Sequence, residues 1–260
     1  MSSQGAVDSP RFELYTEDAV GWLRSRPAES VDLLITDPAY ESLEKHRAIG
    51  TTTRLKHSKS SSNDWFTIFP NARFAELFHE AWRVLKPDTH FYLLCDAETM
   101  FVAKPEAEQA GFKFWKPLVW DKQSIGMGYH YRARYELILF FEKGKRRLND
   151  LGIADIIQVP RIRGGYPAEK PPEVAEVLIR QSSEAGDVVI DPFMGSGSVG
   201  VAAMRLSRRF HGNDLNPEAV TLARRRLESG ESPAATQPDL LGSVATLSGK
   251  PARRRFAMPR

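Results

Sequence analysis

What most limits the fold of this chain is an alternation. Short apolar runs of strand length are separated by segments with helical periodicity. The runs are Phe12–Tyr15, Val31–Thr36, Phe91–Cys95, Lys116–Trp120, Glu136–Glu142, Val188–Asp191 and Phe210–Asp214. Between them the spacing predicts helices over Ala19–Arg24, Phe74–Leu85, Thr99–Ala110, Pro172–Ser182, Val199–Leu206 and Pro217–Leu227. Pro87-Asp88 and Gly111 mark breaks. Buried strands that alternate with helices pair in one direction, with helices covering both faces. The expected fold class is therefore α/β: one doubly wound domain over residues 1–230 with a seven-stranded, mainly parallel sheet. In such sheets ligands bind beyond the carboxyl ends of the strands, where strand order reverses. Two of the strands end there in unusual loops.

The first loop follows Val188–Asp191 and reads Pro192-Phe193-Met194-Gly195-Ser196-Gly197-Ser198. Glycine permits positive φ and close backbone approach to a ligand. Free N–H groups at the helix that opens next favour an anionic group. Gly195, Gly197 and Gly200 match the spacing G-x-G-x-x-G. Asp214, at the end of the next strand, is placed to accept hydrogen bonds from ribose hydroxyls. The pattern points to an adenosine-type cofactor without saying which one. Glycines needed only for a tight turn are the plain alternative. Upstream, Tyr166 to Pro172 leads into a helix, with Pro172 suited to its first turn. Lys170 in that segment is a candidate salt-bridge partner for a cofactor carboxylate.

The second loop is Thr36-Asp37-Pro38-Ala39-Tyr40. Its residue types suit chemistry at an exocyclic amino group. That nitrogen is a poor nucleophile because its lone pair is delocalised into the base. Two acceptors holding both amino protons favour a more pyramidal, reactive nitrogen. The Asp37 carboxylate and the Pro38 carbonyl are candidates, with proline's fixed φ helping to aim that carbonyl. Tyr40 offers a ring for a base taken out of its stack. Such stacking is worth roughly 1–3 kcal/mol and offsets part of the cost of flipping. An ordinary Asp-Pro turn with a packed tyrosine is the rival explanation.

In this order, DPAY at 37–40 and then FMGSG at 193–197, the chain resembles the β group of DNA amino-methyltransferases, over roughly residues 12–228. The resemblance implies a circularly permuted, Rossmann-like fold that uses S-adenosylmethionine. It implies catalytic roles for Asp37, Pro38 and Tyr40. Asp191, Phe193, Gly195, Ser196 and Gly197 match the family's cofactor loop, and Asp214 its ribose acceptor. Lys170-Pro171 matches the end of an HPTQKP-like segment, and Asp18 a position near the cofactor's adenine. Arg134 to Gly144 resembles the family's late strand. Ala39 stands where the family has a second proline, Tyr166 and Glu169 where it has His and Gln, and Glu17 where it has Gly. By the same resemblance, the stretch between the late strand and Tyr166, about 145–165, is a short target-recognition region, and the Asp before the proline favours adenine N6 over cytosine N4.

Charge supports a nucleic-acid partner only through its distribution. The chain of 260 residues carries a net charge of +3, too mild to argue from alone. Residues 231–260 hold five basic and two acidic residues, so the preceding 230 balance to zero. That last segment, low in periodic apolar pattern, reads as a flexible basic tail. Within the neutral body lies a basic loop, 44–62, directly after the proposed catalytic turn. Lys45, Arg47, Arg54, Lys56 and Lys59 are candidate contacts to double-stranded DNA, with Lys145, Arg146 and Arg147 as a second group. Gly126 to Arg132 is a further candidate for target reading.

Cys95 is the single cysteine, which excludes an intrachain disulfide and a cysteine-based zinc site. It reads as a buried structural thiol. The six histidines lack zinc-ligand spacing, so no metal is expected. No apolar run is long enough to span a bilayer, and Met1 to Arg11 lacks the order of a signal peptide, so a cytoplasmic enzyme is expected. The Pro-Cys pair of enzymes that methylate cytosine carbon is absent. The resemblance also implies a homodimer and leaves open a cognate restriction endonuclease. A nicotinamide-dependent oxidoreductase fits the glycine spacing but leaves DPAY and the basic loop unexplained. A non-catalytic DNA-binding module on the same fold, or RNA as substrate, stays open at this stage.

Overall fold

The computed structural model describes residues 11–42, 67–126, 131–162 and 169–230. Among them are eight strands and six α-helices in the order β1 (Phe12–Tyr15), α1 (Ala19–Ser25), β2 (Val31–Thr36), α2 (Phe74–Val84), β3 (Leu85–Cys95), α3 (Ala97–Gln109), β4 (Lys113–Asp121), β5 (Tyr135–Lys143), β6 (Ile156–Gln158), α4 (Pro172–Ser182), β7 (Val188–Asp191), α5 (Ser198–Arg205), β8 (Arg209–Asn213) and α6 (Pro217–Glu228). The strands form one sheet in the order β1-β8-β7-β2-β3-β5-β4-β6. All neighbours are parallel except the two pairs that involve β5.

The expected seven strands are eight. The extra one, β6, has three residues, and both Ile156 and Gln158 are exposed, so it carries no periodic signal. β3 also begins earlier than expected. Its ladder with β2 starts at Leu85, skips across Pro87-Asp88 and resumes at His90. The break is real but local: Asp88 takes a positive φ of 56°, and the strand bulges instead of ending.

Alternation along the strands sends side chains to two cores. Leu34, Phe91, Leu93, Leu139 and Phe141 pack with α1, α2 and α3. Leu33, Ile35, Tyr92, Ile138 and Phe140 pack with α4, α5 and α6. The helices take up these faces by their own spacing. In α2 the buried residues Phe74, Leu77, Phe78, Ala81 and Val84 recur every three or four positions. α1 and α3 are N-capped by Asp18 and Asp96, and α6 by Asn216 with Pro217 behind it. No described helix is long and apolar enough to cross a membrane.

β2 and β7 are adjacent and parallel, with Leu33 opposite Val189 and Leu34 opposite Ile190. From β2 the chain moves through α2 to one side of the sheet, and from β7 through α5 to the other. Strand order therefore reverses between these two strands. Their carboxyl ends carry the two loops singled out above.

Candidate active site

Both loops open into one cleft of about 880 Å³. Its walls include Asp18, Asp37, Pro38, Tyr40, Lys170, Asp191, Phe193, Gly195, Ser196 and Asp214. Residues more than 150 positions apart thus share a wall because β2 and β7 are hydrogen-bonded neighbours. Gly197 sits at the N-cap of α5, with φ 82°.

The glycine loop is held from several sides. Asp191 is buried; its Oδ1 accepts from the Thr36 hydroxyl at 2.8 Å and from the Phe193 N–H at 3.0 Å. Burial pushes the Asp191 carboxyl up to about 7. Gly195 takes a φ of 51°, and its N–H donates to Asp214 at 2.9 Å. A Cβ on Gly197 would stand 2.9 Å from the Ala223 Cβ, so α6 leaves room there only for hydrogen. Arg226 of α6 donates to the Ser196 carbonyl and hydroxyl, both at 2.9 Å, and pairs with Glu169 at 2.8 Å. Asn213 is fully buried; its side chain donates to the carbonyls of Glu17 and Pro192 and accepts from the Glu17 N–H.

The Asp37–Tyr40 turn is fastened to the glycine loop through Phe69. The Phe69 N–H donates to the Ala39 carbonyl at 2.7 Å, and its ring meets Phe193 edge-on at 5.0 Å. Arg73 lies over the Phe69 ring and makes a two-pronged pair with Asp18 at 2.6 and 2.9 Å. That guanidinium, together with the Gly21 N–H, holds the Asp18 carboxyl down to about 2. Burial raises the Tyr40 hydroxyl well above its usual range, which keeps it neutral.

Lys170 lies against the other loop. Its ammonium donates to Asp37 Oδ2 and lies 3.4 Å from Glu136 Oε2, so in this structure it faces the Asp37 carboxylate and not the glycine loop. Glu136, the first acid of β5, also accepts from Lys122 at 2.9 Å. Burial pushes the Asp37 carboxyl up, with Lys170 opposing. The paired carboxylates keep the Lys170 ammonium protonated against that burial.

The basic groups divide. Lys45, Arg47, Arg54, Lys56 and Lys59 lie outside the described residues. Lys145, Arg146 and Arg147 follow β5, which runs against its neighbours and ends at the far edge, with Lys143 opposite Thr89. Thr89 is six residues before Cys95, the end of β3 beside the cleft, so about 20 Å separates this cluster from the site. The cluster thus lies at the other end of the sheet from the cleft. The described part of the 145–165 stretch is also tied to the body there, with Asn149 bonded to the Arg180, Gln181 and Ser183 backbone. The end of β4 and the start of β5, by contrast, stand at the cleft end, with Tyr131 and Tyr135 exposed; residues 127–130 of the Gly126 to Arg132 candidate lie outside the described residues.

Glu136, Arg73, Phe69, Asn213 and Arg226 were not singled out from the sequence. An acid opening an apolar strand was the signal for Glu136. Nothing local marks the others, whose partners are distant in sequence. Ser198 was also passed over. Its hydroxyl is buried, lines the cleft at the start of α5, and has no hydrogen-bond partner. An orphaned hydroxyl beside a positive-φ glycine turn and the Asp214 carboxylate fits a nucleoside cofactor with a polar tail.

Comparison with known proteins decides the family. The DNA methylase family, of N6 and N4 enzymes, matches residues 31–159 and 153–225. This chain belongs to it. A curated relative, the DNA adenine methyltransferase YhdJ of Escherichia coli K12, is 28% identical over 81% of both chains. Among solved structures, the DNA modification methylase TTHA0409 of Thermus thermophilus, complexed with S-adenosyl-L-methionine, superposes with a TM-score of 0.64 at 23% identity, over 84% of this chain and 94% of the other. The PvuII DNA methyltransferase, specific for cytosine N4, gives 0.64 at 19% identity, over 84% and 88%. These DNA methylases share the α/β fold.

Proposed function

We propose that this DNA methylase transfers a methyl group from S-adenosylmethionine to N6 of an adenine flipped out of double-stranded DNA. One observation carries the reading. The Asp37-Pro38-Ala39-Tyr40 turn and the glycine loop share one cleft, bolted together through Thr36 and Asp191 and through Phe69 and Phe193. Phe193, Gly195, Ser196, Ser198 and Asp214 would hold the cofactor, with Asp18 at the adenine end. Bound there, the cofactor supplies an electrophilic sulfonium methyl. The chain's part is positioning and charge, and no covalent enzyme intermediate is required. Asp37 accepts one amino hydrogen bond and the Pro38 carbonyl the other, which localises the nitrogen lone pair. Tyr40, neutral and half-buried, gives the base a face to stack on. Asp37 is also in place to take the proton that the methylated nitrogen sheds.

Asp before proline and the adenine-specific relative support adenine. The resemblance to the PvuII enzyme keeps N4 of cytosine as the second reading. DNA contacts are assigned to the basic loop 44–62 from sequence alone, and dimerisation rests on resemblance. The test is incubation of the full chain with isotope-labelled S-adenosylmethionine and unmethylated genomic DNA, followed by nucleoside mass spectrometry. Labelled N6-methyladenine is expected. Label in N4-methylcytosine selects the second reading, and label in neither base overturns both.

A further inference from the structure

Four charges of alternating sign form a row, three of them, Asp37, Lys170 and Glu136, in the cleft wall. Asp37 follows β2, Lys170 precedes α4, Glu136 is the second residue of β5 and Lys122 follows β4. Lys170 donates to Asp37 and stands 3.4 Å from Glu136, which Lys122 holds at 2.9 Å. The Lys170 and Asp37 side chains are only 20% and 27% exposed. Desolvating such a row is costly, and ion pairs of this kind contribute little net stability. Their placement therefore calls for a reason at the site itself. A base amino group that hydrogen-bonds Asp37 must compete with an ammonium already there. A lone cation displaced from Asp37 would stay trapped in a poorly solvated wall. Glu136 gives it somewhere to go within the same contact distance.

We propose that Lys170 is a positioning residue for Asp37, holding it ionised and aimed, and that it moves onto Glu136 when the amino group of the target base takes its place. The inference rests on the reading of Asp37 as the amino acceptor. It gives Lys170 a role in the methyl-transfer step that a cofactor-carboxylate contact would not. Among the described residues, the titratable groups that face Asp37 are Lys170, Glu136, Lys122, Tyr40, Cys95 and Asp191. Of these only Lys170 and Lys122 carry positive charge. Without Lys170, burial and the Glu136 charge act on Asp37 with weaker opposition, and its carboxyl rises. Without Glu136 it falls. An acceptor carboxylate works only ionised, so activity is lost as pH drops through its pKa.

The experiment measures single-turnover methyl transfer to unmethylated genomic DNA from pH 5 to 9, using Lys170→Gln, Lys170→Arg, Glu136→Gln and the double Gln variant. For Lys170→Gln we expect the acid limb to move up by at least one pH unit. Its rate at pH 7 should fall at least tenfold, with partial recovery at pH 9. Lys170→Arg should keep the parent limb. Glu136→Gln should move the limb down and raise the DNA concentration for half-maximal rate at least threefold, because the displaced cation loses its second anchor. The double variant should bring the limb back toward the parent. Acid limbs that coincide with the parent in Lys170→Gln and Glu136→Gln overturn the proposal, whatever the rates. Should Lys170→Gln fail to bind S-adenosylmethionine, the near-isosteric Glu136→Gln decides alone. Asp37→Ala separates the two levels. Methylation that survives it sinks the functional reading, whereas its loss with unmoved acid limbs sinks only the role of Lys170.

Discussion

At the residue scale, the site is built from side chains whose neighbours decide what they can do. Asp37 sits in a wall that burial makes unfriendly to charge, and Lys170 offsets that. Replacing Asp37 by Ala removes the proposed amino acceptor without touching the glycine loop. Methyl transfer should fall by at least a thousandfold, on the order of 4 kcal/mol of transition-state stabilisation. S-adenosylmethionine affinity should change less than threefold, read by calorimetry. Gly197 is limiting for a different reason. Its φ of 82° and the Ala223 Cβ 2.9 Å from any added methyl make an alanine there both strained and crowded. Gly197→Ala should cost about 2 kcal/mol, lowering the thermal midpoint by roughly 4–8 °C, and weaken cofactor binding. A midpoint equal to that of the parent would show that the turn can relax at no cost.

At the element scale, the two loops act together because two strands do. β2 and β7 pair, and the Thr36 hydroxyl on one strand end bonds Asp191 on the other. Asp191 therefore serves the turn itself, through Thr36 and the Phe193 N–H. Its folded pKa, about 7, lies above the ordinary carboxylate value. The native state thus binds more protons than the unfolded chain from about pH 4 to 7, and stability from this group falls as pH rises through that window. Asp191→Asn keeps an acceptor oxygen and removes the buried charge. Its stability relative to the parent should improve from pH 4 to pH 7 and level off above, with about 4 kcal/mol as the upper bound. Urea denaturation at several pH values checks the sign. A second link runs from Ser196 through Arg226 to Glu169, the neighbour of Lys170. The cofactor loop and the lysine at Asp37 are thereby set on one support.

At the scale of the whole molecule, pH acts through groups far from the cleft as well. His90 is fully buried at the opposite end of the sheet, bonded to Ser182 and the Arg146 carbonyl, and burial brings it down to about 4. The unfolded chain binds the extra proton between about pH 6.5 and 4, so this contribution is whole above 6.5 and is lost as pH falls. It amounts to about 3 kcal/mol at most. Its sign is opposite to that of Asp191, so the two partly cancel across the window. His90→Gln should leave the Asp191 slope exposed, with unfolding free energy that declines more steeply from pH 4 to 6.5 than in the parent. An unchanged slope would mean that His90 titrates alike in both states.

Much of this was legible from local pattern. β1, β2, β7 and α4 have the expected bounds, because each is a periodic apolar segment closed by a strong signal such as Asp-Pro or Pro172. The two loops were legible as well, since Asp37, Pro38, Tyr40 and the glycines are neighbours in sequence and their chemistry is local. The place of Lys145, Arg146 and Arg147 was not legible, for the complementary reason. Their charge is visible in the sequence, but the direction of β5 is not, and that direction puts them at the end of the sheet away from the cleft. β6 was missed because three residues with two exposed carry no period. By itself, then, the sequence determined the layered α/β class, the two loops and the residue types able to do amino methylation, all of which depend on backbone propensity and short spacing. Only the tertiary structure decided that Lys170 faces Asp37, that Glu136 lines the cleft and Arg226 braces its glycine loop, and at which end of the sheet residues 145–147 lie. Ion pairs and cleft walls are made by strand order, and strand order joins residues that no window along the chain contains.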